Sequence, residues 1–109
     1  MTPVTVEEVR EAQEMFKVGV DLQEKKDFTG ASENFRKTVL IHSQDENHLK
    51  ELEKKLKEGK FKLQQESIAY MGCAAVHLST LVKDLTEEQR NEVPVDEKLS
   101  EIFGVWDEG

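Results

Sequence analysis

Residues 19–38 read GVDLQEKKDFTGASENFRKT, with Gly19, Leu22, Phe28, Ala31, Phe35 and Thr38 at the offsets of two short antiparallel helices joined by a tight turn. Small side chains at Gly19, Ala31 and Thr38 let two helix axes approach closely. Phe28 and Phe35 then fill the wedge between them. A pair of helices built this way carries contacts, not chemistry.

Toward the amino terminus, Thr5 and Glu8 have the spacing of a capping box, in which hydroxyl and carboxylate satisfy each other's backbone amides. Val9, Ala12, Phe16, Gly19 and Leu22 recur at helical spacing behind it, so a first helix is predicted from about residue 6 to 25. Lys25 and Lys26 suit its carboxyl end, where positive charge meets the helix dipole. The turn falls at Asp27–Gly30. A second helix is predicted to begin near Gly30, with Ala31, Phe35, Thr38, Val39 and His42 on one face.

Ser43 with Glu46 reads as a second capping box, opening a third helix whose apolar stripe is Leu49, Leu52 and Leu56. So narrow a stripe predicts a helix packed along one side and otherwise wet. An unbroken helix from 44 to 85 would reach roughly 60 Å at 1.5 Å per residue, too long for a compact domain, so a break is predicted at Glu58–Lys60. Beyond it, Phe61, Gln64, Ile68, Met71, Ala75, Leu78, Val82 and Leu85 alternate spacings of three and four, a seam like that of a coiled coil. A second line, Leu63, Tyr70, Ala74 and Leu81, with Cys73 and Val76 nearby, widens it. A helix that apolar needs more than one neighbour.

Thr86 with Gln89 is a third capping signal, and Pro94 stops any helix begun there. Asp96 then caps a last short stretch in which Leu99, Ile102, Phe103 and Trp106 share a face. The predicted class is all-α: an antiparallel helical bundle over 1–93 with four main helices, plus an acidic segment over 94–109 that carries a short amphipathic helix and docks on the bundle.

The charge is uneven. Of a formal net charge of −8, residues 86–109 hold the larger part, with two basic against eight acidic side chains. Such a segment repels nucleic acid and anionic membranes and favours a basic partner. The longest uncharged stretch, Ser67 to Val82, is interrupted by polar residues and too short to span a bilayer, and the amino terminus, rich in glutamate, does not read as a secretory leader. Cys73 is the single cysteine, which excludes an internal disulfide. A cytoplasmic or nuclear protein is expected.

The pattern from Ala12 to about Asp45 resembles a tetratricopeptide repeat. Gly19 takes the family's small position on the first helix, Leu22 its large one, Phe28 the turn, and Ala31, Phe35 and Thr38 the second helix; Met15 stands where an aromatic is usual and Ser43 where a proline often ends the unit. A fainter copy follows 33 residues later at Glu58-Gly59-Lys60-Phe61, aligning Ile68 with Phe35 and Met71 with Thr38. A three-helix domain of the microtubule-interacting-and-trafficking type, whose first hairpin is similar, is the alternative. The tetratricopeptide resemblance implies that the first helix lines a groove, at Gln13, Phe16, Val20 and Gln23. Members that grip acidic chaperone tails use a lysine and an asparagine there; Phe16 and Val20 replace that clamp, implying an apolar groove for a partner helix or hydrophobic peptide.

Chemistry is poorly served. His42 and His48 are six apart, not on one helical turn, and Cys73 with His77 lack two further soft ligands, so no metal site is expected. No glycine-rich phosphate loop exists, because Gly72-Cys73-Ala74-Ala75 lacks the preceding strand and the lysine. Lys50, Lys54, Lys55, Lys57, Lys60 and Lys62 are interleaved with Glu51, Glu53 and Glu58, a solvated helix face and not a nucleic-acid patch. The expectation is a non-enzymatic adaptor with no catalytic residue, cofactor or metal, engaging another protein through Gln13, Phe16, Val20 and Gln23 or through Leu99, Ile102, Phe103 and Trp106. The alternative is a structural subunit that self-associates, as a homodimer, along the fourth helix.

Overall fold

In a computed structural model describing residues 3–43 and 46–93, the chain forms five helices: α1 (Val6–Glu24), α2 (Phe28–Leu40), α3 (Asn47–Glu58), α4 (Leu63–Asp84) and α5 (Glu87–Asn91). It is an all-α bundle. The expected helix at Leu99–Trp106 lies outside the described residues; the short fifth helix is the one capped by Thr86, whose Oγ1 accepts from the Gln89 N–H at 3.1 Å.

Local chemistry sets the hairpin. Thr5 Oγ1 accepts from the Glu8 N–H at 3.1 Å while Glu8 Oε1 accepts from the Thr5 N–H at 3.0 Å, which completes the predicted capping box. At the other end, Lys26 sits in the left-handed region (φ 68°), and the amides of Lys26 and Asp27 bond back to Gln23 and Leu22 at 3.0 and 2.9 Å. This is a Schellman closure with lysine where glycine is usual. The chain then turns at once, and α2 begins at Phe28, earlier than the expected Gly30. Asp27 explains the difference: its side chain caps the helix by accepting from the Gly30 N–H at 3.1 Å, which puts Gly30 in the first turn.

The core is a three-helix arrangement. α2 packs extensively on both α1 and α4, α1 and α4 also meet, and α3 touches α4 only sparsely. Val9, Ala12, Phe16, Ala31, Phe35 and Leu78 are almost fully enclosed, and the rings of Phe16 and Phe35 lie 5.3 Å apart at 54°. The close approach predicted at Gly19 is present: a Cβ added there would stand 2.6 Å from Phe35 Cε1. On α3 only Leu49 is buried.

Two expectations about the middle of the chain change. Ser43 does not cap α3, which starts after Glu46 and has no side-chain cap bond. The break near Gly59 is present, but Phe61 precedes α4 and is 47% exposed, so it is not a core seam residue. The core face of α4 is Ser67, Ala74, Ala75, Leu78 and Leu81, midway between the two predicted lines. That rotation leaves Ile68 49% and Val76 56% exposed. Phe35 and Ile68, aligned by the 33-residue offset, therefore differ in burial.

Candidate interaction site

The expected groove on α1 is filled from within. Phe16 is fully buried and Val20 nearly so, because α4 packs against this helix as well as against α2. Gln23 is turned to the same purpose: its Oε1 accepts from Ser67 Oγ at 2.6 Å, and its Nε2 donates to Met71 Sδ at 3.6 Å. Ser67 is fully buried, so this pair satisfies a polar group inside the α1–α4 contact. Gln13 is half-buried. The assignment of Phe16 and Val20 to an open partner-binding surface is thus corrected: they are core. Leu99, Ile102, Phe103 and Trp106 lie outside the described residues.

The open surface is elsewhere. Between the carboxyl end of α2, the start of α3 and the outer side of α4 lies a cleft of about 760 Å³. Ile68, Ala69, Gly72, Val76 and Thr80 of α4 and Val39 of α2 line it, with His42, His48, His77 and Asp84 among the polar residues. Its α4 floor is uncharged from Ile68 to Thr80. On a chain in which 35% of residues are charged, that is a surface suited to contact. The small residues Ala69 and Gly72 leave depth along the floor.

Two histidines anchor the rim. His42 has a left-handed backbone (φ 51°), and its side chain is only 10% exposed. Its Nδ1 lies 2.9 Å from Glu8 Oε2, which ties the α2–α3 turn to the first turn of α1, while its buried Nε2 has no hydrogen-bond partner. His77 Nε2 donates to the Ile41 carbonyl at 2.7 Å, fixing the same turn to α4. Burial pushes the Glu8 carboxyl upward, but the Thr5 amide, His42 and the Thr5 hydroxyl outweigh it and leave the carboxyl below its ordinary range. Arg36 Nε donates to Glu53 Oε1 at 3.0 Å and holds α3 to α2.

Cys73 lines the cleft, and burial pushes its thiol up, the opposite of an activated nucleophile. His77, four residues on, has its Nε2 engaged by Ile41. Among the described residues, no group of three or more His, Cys, Asp or Glu is placed to hold a metal ion, and no helix is long and apolar enough to cross a membrane.

The long uncharged run Ser67–Val82 was the signal for this cleft. Its outward line was hidden in sequence by its neighbours, since both faces of α4 are apolar and only packing decides which is covered. Compared with protein-family models, curated proteins and solved structures, the chain matches none.

Proposed function

We propose that this protein is a non-catalytic interaction module, and that the cleft between α2, α3 and α4 receives an amphipathic helix or hydrophobic peptide of another protein. The observation that carries this reading is the uncharged, small-residue outer face of α4, with Val76 56% exposed at its centre. Each large apolar side chain buried there stabilises a complex by roughly 1.5–3 kcal/mol, so several anchors are needed to offset the cost of association. The resemblance of the α1–α2 hairpin to a tetratricopeptide unit supports the same reading, as does the raised Cys73 thiol.

Self-association along the predicted seam has less support. Ala75, Leu78 and Leu85 of that seam are buried in the core, with Met71 and Val82 packed against it.

The test compares proteins captured by immobilised wild type with those captured by Val76→Glu, a substitution on an exposed position that leaves the core intact. Loss of specific partners with an unchanged melting curve is expected; recovery of the same partners by both would refute the reading.

A further inference from the structure

The residues that line the cleft include no lysine or arginine, on a chain that carries 15 of them, and Asp84 is the one carboxylate among them. Asp84 is exposed and, among the described residues, forms no ion pair. Its neighbour Lys83 does not line the cleft. We infer that the cleft's partner is a cationic amphipathic helix: a bulky apolar side chain seats over Ala69 and Gly72, and a lysine or arginine on the same face meets Asp84. The inference rests on the cleft being an interaction site and adds the charge of what it receives.

Two histidines of the cleft also ask for donors. His42 Nδ1 lies 2.9 Å from Glu8 Oε2, and an ionised carboxylate only accepts, so that nitrogen carries a proton; in the neutral ring Nε2 is then an acceptor. The side chain is 10% exposed, and its Nε2 is buried with no hydrogen-bond partner among the described residues. His77 repeats the pattern, with its Nε2 donating to the Ile41 carbonyl and Nδ1 left as the acceptor of the neutral ring. A buried acceptor without a partner favours a ligand that brings a donor. Lysine and arginine are donor-only side chains, whereas an ionised acidic partner brings only further acceptors.

Spacing sets the rest. Ile68, Gly72, Val76, Thr80 and Asp84 stand four residues apart along α4 and form one ridge of its surface. Gly72 and Asp84 are separated by about 18 Å at 1.5 Å per residue. A partner helix lying within about 20° of α4 therefore carries its anchor and its cation about eleven residues apart, a spacing that returns to the same face after three turns. Glu87 and Glu88 open α5 just beyond Asp84, and the net charge of −8 draws a cation from longer range.

The probes are two fluorescein-labelled model helices of alanine and glutamine with a leucine stripe, identical except that one carries lysine and the other glutamate about eleven residues after the first leucine. Fluorescence anisotropy with the full chain should show saturable binding of the lysine helix, about threefold to tenfold tighter than the glutamate helix, as an exposed ion pair allows. Asp84→Asn should bring the two affinities together. Glu87→Gln makes the same change in net charge at a residue that does not line the cleft, and should leave the preference in place. Equal affinities in wild type, with binding still lost in Val76→Glu, refute only the charge of the partner, as does a preference that Glu87→Gln erases as fully as Asp84→Asn. Binding indifferent to Val76→Glu, or absent for both helices, refutes the cleft reading itself.

Discussion

Replacing Gly19 with alanine is expected to destabilise the protein even though alanine is the better helix former. In a helix interior, alanine is favoured over glycine by about 1 kcal/mol. Against that stands the geometry: the new Cβ would lie 2.6, 2.9 and 3.0 Å from three atoms of the Phe35 ring, where carbon atoms prefer about 3.5–4.0 Å. The ring has nowhere to go, because Phe35 is fully buried and leans on Phe16 at 5.3 Å. Separating α1 from α2 by the missing ~1 Å falls at the upper end of the roughly 1–3 kcal/mol that overpacking costs. The net loss is about 1–2 kcal/mol, or about 4–8 °C in Tm for a domain of this size. Thermal denaturation followed by circular dichroism measures it, and a double-mutant cycle with Phe35→Leu isolates the contact. The two substitutions should couple by about 1 kcal/mol or more, because the smaller side chain makes room for the methyl group. A Gly19→Ala variant that melts higher than wild type, or strictly additive effects, would refute the close approach.

Other consequences are as specific. Lys26→Gly relieves a left-handed backbone that costs a side-chain-bearing residue about 1 kcal/mol or more, so urea denaturation should show a gain of roughly 0.5–1 kcal/mol. Ser67→Ala leaves Gln23 Oε1 without its 2.6 Å donor and should cost about 1 kcal/mol, read from the same urea curves. The Glu8 carboxyl titrates lower in the folded than in the unfolded chain, so its stabilisation is present above about pH 4.3 and disappears as pH falls through the folded value. Glu8→Gln should therefore flatten the acid limb of a stability–pH curve; an unaltered slope would mean that the Glu8 carboxylate's contacts with Thr5 and His42 contribute nothing. Ile68→Glu, at a half-exposed cleft position, should leave the melting temperature within about 2 °C of wild type.

The hairpin was legible because its determinants are local. Thr5 with Glu8, the Gly19–Phe35 complementarity and the turn at Asp27 each act within a few residues or across one tight connection, so spacing alone exposes them. The start of α2 shifted because an aspartate cap competes with a glycine in adjacent positions, and a hydrogen bond decides between them. Helix α4 was harder: apolar residues surround it, and which side faces the core depends on α1 and α2, which contact it from far away in sequence. The same non-local packing turned Phe16 and Val20 from expected groove residues into core. It also buried Ser67, a polar residue whose partner, Gln23, is 44 positions away. No periodicity records a pairing of that kind.

Helix α4 has an inner face that builds the bundle and an outer face proposed to meet a partner. Capture of cellular proteins by immobilised Val76→Glu, set beside wild type at equal loading, tests this most directly. The expected result is a folded variant that loses the partners wild type retains. A folded variant that retains every one of them would contradict it.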